Sequence, residues 1–260
     1  MRKGIMLGLL VCGVLVTSGC GTQPVDSFTL EVDLPANFRF RGDAVYQPAT
    51  GETCTLPRRR GKRPELKVFD TRGKPEANRV SFEVPLTERV GGCPLVLRRI
   101  MFALDTEWGE RWFDIGRDYA AIYLSDQSEF GDSVMPESGV LELAARCQWL
   151  FRTGGPERAL IKLLKCNALG ADGLLRKARA GGAVQRDAMT GKTIRLTLGL
   201  IDEELPAVDD NWIVVPGGWK RCLGKSLDDV FAFCRGNTTD FKSFKMPDGR
   251  VCTIYPTCNE

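Results

Sequence analysis

The chain has 260 residues, with 36 Lys and Arg against 33 Asp and Glu, ten cysteines and no histidine. Without histidine, Ser-His-Asp and Cys-His catalysis, the usual catalytic zinc sites and phosphoryl transfer through a histidine nucleophile are excluded. The near balance of charge argues against generic nucleic-acid binding, which wants a strong basic excess, and the length allows one large domain or two small ones.

The first segment, MRKGIMLGLLVCGVLVTSGCG, has the grammar of an export signal. Arg2 and Lys3 form a positive start, and the apolar run from Ile5 to Val16 is too short for a bilayer span, which needs about 20 apolar residues. Small residues Ser18 and Gly19 then precede a cysteine, and Thr17-Ser18-Gly19-Cys20 resembles the lipobox of bacterial lipoproteins. That resemblance implies cleavage before Cys20 and acylation of its thiol, leaving residues 1–19 as signal and 20–27 as a lipidated tether. Gly21, rather than an aspartate, follows the cysteine, which by the same resemblance favours the outer membrane with the body facing the periplasm. Two or more acyl chains suffice for stable anchorage. Removal of Arg2 and Lys3 leaves 34 basic and 33 acidic side chains, a nearly neutral mature protein.

From Phe28 the pattern has period two. Phe28, Leu30, Val32 and Leu34 alternate with polar residues, as a half-buried strand requires. Pro35-Ala36-Asn37 turns the chain into a second strand through Phe38, Phe40 and Val45-Tyr46; Leu66 to Phe69 makes a third, and Val80 to Leu86 a fourth. The fifth, Leu95 to Leu104, loses alternation at Arg98-Arg99, which suggests a bulge or a more buried centre. Trp112 to Leu124 reads as further strand interrupted near Gly116, and Leu141 to Trp149 alternates clearly. These strands predict an antiparallel β-sandwich of immunoglobulin-like or transthyretin-like type over residues 28–152.

Beyond Thr153-Gly154-Gly155 the texture changes. Pro156-Glu157 is a favoured helix start, with Leu160, Leu163, Leu164 and Asn167 at helical spacing. Asp172 caps a second short helix through Ala178, and Ile194 to Leu200 and Trp212 to Val215 return to strand. Ser226 precedes Leu227, Val230, Phe231 and Cys234, the pattern of a third helix, and a final strand runs from Arg250 to Tyr255. The expectation for residues 153–260 is therefore a smaller, disulfide-braced α+β region, and for the whole chain a mainly β class.

Cys12 leaves with the signal and Cys20 is the lipidation site. The remaining eight, Cys54, Cys93, Cys147, Cys166, Cys222, Cys234, Cys252 and Cys258, read as four disulfides in an oxidising compartment. Eight cysteines permit 105 pairings, and pairing of consecutive cysteines is the expected one. No CxxC is present, no serine has lysine three residues on, and Arg186 replaces the first glycine of a phosphate loop ending at Gly191-Lys192-Thr193. Nothing in the sequence calls for a metal, a catalytic residue or a small-molecule cofactor.

Two charged segments and one aromatic stand out. Arg58, Arg59, Arg60, Lys62 and Arg63 form a basic finger between prolines, suited to an acidic partner surface or anionic headgroups. Asp202-Glu203-Glu204 with Asp209-Asp210 is an acidic counterpart, able to dock against a cationic cleft. Of the five tryptophans, Trp108, Trp112, Trp149 and Trp212 read as core, whereas Trp219, after Pro216-Gly217-Gly218, reads as an interface anchor.

The lipobox, length, cysteine content and β-rich body resemble the immunity lipoproteins that protect Gram-negative bacteria against type VI secreted phospholipases. The resemblance implies a non-enzymatic inhibitor whose protein partner is a secreted toxic lipase, held in a one-to-one complex that blocks the active-site entrance. The alternative expectation is an envelope scaffold lipoprotein that binds a membrane protein or secretion-machine component.

Overall fold

The computed structural model describes residues 26–56, 66–70, 78–126, 133–225, 228–236 and 239–259. Cys20 and the basic finger Arg58–Arg63 lie outside these residues. The first half supplies β1 (Ser27–Asp33), β2 (Arg39–Pro48), β3 (Leu66–Asp70), β4 (Arg79–Pro85), β5 (Thr87–Val90), β6 (Cys93–Glu107), β7 (Ile115–Ser125) and β8 (Val140–Gly154). The second supplies β9 (Ala159–Leu169), β10 (Leu175–Arg179), β11 (Gly181–Gln185), β12 (Thr193–Pro206), β13 (Trp212–Val215), β14 (Gly218–Arg221), β15 (Phe244–Lys245), β16 (Val251–Cys252) and β17 (Tyr255–Pro256).

The protein is mainly β, built as two sheets packed face to face with a third, small sheet at one end. The first sheet runs β16-β15-β9-β8-β12-β1-β4, with β10 on β9, and the second runs β11-β7-β6-β2-β3, with β5 on β6. Alternation dictates the packing. Leu30 and Val32 of β1, Ala145 and Trp149 of β8, and Ile194 and Leu196 of β12 face Phe40 of β2, Leu97, Ile100 and Leu104 of β6, and Ile122 of β7 in one core. Phe40 lies near the rings of Phe69, Phe82 and Phe102, and Phe69 meets Phe82 at 4.8 Å, so aromatic contacts join β3 of one sheet to β4 of the other. Of the two readings of Arg98-Arg99, a bulge or a more buried centre, the structure has the bulge: Val45 pairs with Arg99 but Tyr46 with Leu97, leaving Arg98 as the extra residue.

The pairing departs from the antiparallel expectation at β12, which runs parallel to both β1 and β8. Parallel neighbours need a long connection. The chain supplies one by leaving the β8–β9 hairpin through β10, entering the second sheet as β11 parallel to β7, and returning through a 3₁₀ turn at Asp187–Met189.

The three expected helices are not formed. Residues 159–169 are β9, because Gly155 and Arg158 adopt positive φ and turn the chain back on β8 as a hairpin. Residues 175–179 are the exposed strand β10. In the third segment only Val230–Ala232 is a 3₁₀ turn; it is capped by Asp229, which accepts from Phe231 N at 2.9 Å, while Ser226 lies outside the described residues. The Cys222–Cys234 bridge and the close approach of Gly224 to Ala232, where a Cβ would fall 1.9 Å from the Ala232 nitrogen, pull this segment into a tight loop.

Disulfides join consecutive cysteines: Cys54 to Cys93, Cys147 to Cys166 across β8 and β9, Cys222 to Cys234, and Cys252 to Cys258. Residue 152 lies inside β8. Beyond it, the far ends of β8 and β9 contribute Phe151 and Leu160 to a second core with Trp212, Phe244, Cys252, Tyr255 and Cys258. Buried Arg221 borders this core and donates through one terminal nitrogen to the carbonyls of Asn211, Cys222 and Ala232. Burial, with a smaller contribution from Arg158, pulls its pKa down to about 10.

Candidate functional site

The turn between β6 and β7 is organised around one carboxylate. Asp114 is fully buried, and its side chain accepts from Arg111 N at 3.2 Å, from Arg111 Nε at 2.9 Å and from an Arg111 terminal nitrogen at 2.7 Å. The Arg111 guanidinium holds the Asp114 carboxyl below its ordinary range, against the opposing effect of burial. Main-chain bonds from Trp108 N to Asp114 O (3.0 Å) and from Asp114 N to Arg111 O (2.8 Å) close the loop. Gly109 makes room for this arrangement, since a Cβ there would lie 2.4 Å from Asp114 Oδ2.

The consequence is that Trp112 and Phe113 are held outward. Trp112 is 85% exposed and Phe113 54% exposed. Their rings meet edge to face at 5.4 Å, and the Arg111 guanidinium lies 4.6 Å from the centre of Phe113. Large aromatic side chains on a turn braced by its own hydrogen bonds are the residue type and setting that favour binding hot spots. Trp112 is therefore not in the strand and core expected from the sequence; β7 begins at Ile115, after the turn. Gly109 and Gly116 on either side of the pair were the available turn signal.

A groove of about 490 Å³ opens at the base of this hairpin, with Trp108, Trp219, Tyr255, Lys162 and Glu204 in its lining and Asp202 and Glu203 beside them. The three acids project from an irregularity in the β8–β12 ladder: Ile201 pairs with Gln148 and Leu205 with Leu150, so residues 202–204 stand opposite Trp149 alone. Gln148 Nε2 donates to the Glu203 carbonyl at 3.0 Å and fixes the bulge. Bulges re-aim side chains in this way.

Inside the groove Lys162 Nζ pairs with Glu204 at 2.6 Å and lies 5.8 Å from the ring centres of both Trp108 and Tyr255. Tyr255 also donates its hydroxyl to Glu204; burial first, and this carboxylate second, raise the Tyr255 pKa. Glu204 and Lys162 therefore satisfy each other, whereas Asp202 and Glu203 are exposed and show no ion pair among the described residues.

Trp219 is half-buried rather than projecting: it lies 6.0 Å from Phe151 and forms one wall of the groove. Gly218 permits this, because a Cβ at its φ of 143° would strike the Tyr255 carbonyl at 1.9 Å. Asp209 and Asp210 occupy an exposed turn before β13. The structure thus brings Trp219 and Asp202–Glu204 together with Trp108.

A larger hollow of about 980 Å³ lies over the outer face of the second sheet, with Met101, Ala103, Tyr119, Ala121 and Tyr123 in its lining. Its charged rim is neutralised internally by Arg117–Asp105 at 2.5 Å, Arg41–Asp43 at 3.6 Å and Arg179–Asp118 at 3.8 Å. Among the described residues no group of three or more Cys, Asp or Glu side chains is arranged to hold a metal ion, and no helix is long and apolar enough to cross a membrane. No family model, curated protein or solved structure matches the chain.

Proposed function

We propose that this protein is a periplasmic immunity lipoprotein, anchored through Cys20 to the outer membrane, that binds a toxic secreted enzyme and blocks its active-site entrance. The enzyme class favoured by the resemblance is a phospholipase. The observation that carries the reading is the Trp112–Phe113 tip, an aromatic pair held out to solvent by the ion pair between buried Asp114 and half-exposed Arg111 of its own loop.

Inhibition by occlusion asks for no chemistry from the inhibitor. It asks for a surface ordered before the partner arrives, because side chains already fixed lose little entropy on binding. The Asp114–Arg111 lock and the fixed acidic bulge supply that order at the site, and four disulfides supply it in the body. A lipid tether of a few residues adds effective concentration at the membrane that the toxin attacks.

The test is genetic. Deleting the gene sensitises the strain to attack by toxin-delivering siblings, and a plasmid copy restores survival. Equal survival of deletion and parent strains overturns the reading.

A further inference from the structure

The hairpin tip and the groove form one surface, since Trp108 belongs to both: its backbone nitrogen closes the hairpin and its ring lines the groove. We infer that this surface is a plug and socket for one kind of partner: Trp112 and Phe113 enter an apolar cleft of a protein, and Asp202 and Glu203 meet basic side chains on the rim of that cleft. The inference rests on the proposed function only for the identity of the partner, a toxin.

Charge selects a protein over a bilayer. The tip loop, residues 108–114, and the groove lining carry Glu110, Asp114, Asp202, Glu203 and Glu204 against Arg111 and Lys162, and both cations are already committed, to Asp114 and Glu204. A loop that inserts aromatic side chains into a membrane is normally rimmed by Lys and Arg, because the headgroup surface is anionic. This one has the opposite sign and would be repelled. The same excess of carboxylates steers a cationic protein toward the tip and penalises anionic competitors.

The groove also shows which cation it takes. Lys162 already sits between Trp108 and Tyr255 with its charge on Glu204, so the walls accept an ammonium beside aromatic rings. Asp202 and Glu203 stand next to that arrangement with their carboxylates open to solvent. A partner Arg or Lys reaching them would enter the groove that half-buried Trp219 also lines, within reach of a cation–aromatic contact of the kind such residues make.

The experiment uses the full-length chain in its own strain. A photoreactive benzoylphenylalanine replaces Phe113, and irradiation during sibling attack traps whatever the tip touches. Separate strains carry Trp112→Ala, or Asp202→Lys with Glu203→Lys, and each variant is checked for membrane location and oxidised disulfides. The expected result is a cross-link to one protein that weakens when the two carboxylates are reversed, with both variants as sensitive to attack as the deletion. For the isolated complex, Trp112→Ala lowers affinity by roughly 30-fold or more, the range of a hot-spot aromatic. Charge reversal slows association at low salt, and that difference closes at high salt.

An adduct with phospholipid alone, or no adduct, overturns the plug. So does full protection by Trp112→Ala in a strain whose deletion mutant is killed, a result that leaves the immunity reading standing. If the deletion mutant survives attack, the immunity reading falls, and a charge-sensitive cross-link to an envelope protein still supports the plug.

Discussion

Asp114 carries more of the proposed site than any other single residue, because it orders the loop without touching a partner. Its carboxylate is 1% exposed, while Arg111 opposite it is 36% exposed, so the pair is only partly screened by solvent. Asp114→Asn keeps the shape but removes the charge on which Arg111 closes, and should cost about 1–3 kcal/mol, the range for a buried group deprived of charged hydrogen bonds. The predicted readout is lower fluorescence anisotropy of Trp112 at neutral pH with the body still folded. The pH dependence has a fixed sign. A carboxyl whose folded pKa lies below its unfolded one stabilises above the unfolded value, near 3.9, and that contribution disappears as pH falls through the folded value. Tip anisotropy should therefore stay constant from neutral pH to about pH 4 and fall below it, and Asp114→Asn should abolish that acid transition.

At the scale of elements, the four disulfides close loops of very different length. Cys54–Cys93 spans 39 residues of sequence and Cys252–Cys258 spans 6. Loop-closure entropy then predicts a loss of about 4 kcal/mol for removing the first by paired Cys→Ala change, against about 2 kcal/mol for the second. Denaturant unfolding of the two double mutants checks the order; equal losses would mean that native contacts, not chain entropy, set the value. The strands of the first half were legible because one buried face imposes strict alternation, as in Phe28-Leu30-Val32. The failure at β9 has a local cause. Leu160 and Leu164 suit either period, and the residue that would have decided for a strand, position 162 on the same face, is lysine. It is charged because it serves the groove with Glu204 and the rings of Trp108 and Tyr255. A site residue thus broke the pattern of the strand that carries it. Trp112 departs from its expected core position for the converse reason: an aromatic in a periodic stretch reads as core unless the turn that contains it is recognised.

For the whole molecule, the two cores have different tasks. The larger one joins the two sheets, and the smaller one, around Phe151, supports the groove: Phe151 lies 4.3 Å from Tyr255, 5.0 Å from Trp212 and 6.0 Å from Trp219. Phe151→Ala should cost about 3–5 kcal/mol, as for other buried aromatics, and should also weaken partner binding because two groove walls lose their backing. Phe102→Ala in the larger core should cost a similar amount of stability and leave the affinity of the folded fraction unchanged. Equal effects on affinity would show that the smaller core has no special link to the site.

Every step from tether to plug presupposes that the chain is exported and oxidised, with acyl chains on Cys20. The most direct measurement is the intact mass of the native protein extracted from the cell envelope without reduction. The expected species is a polypeptide beginning at Cys20, heavier than its sequence by the mass of two or three acyl chains, with Cys54, Cys93 and the other six body cysteines free of reactive thiol. A full-length chain starting at Met1, recovered from the cytosol with free thiols, would contradict it.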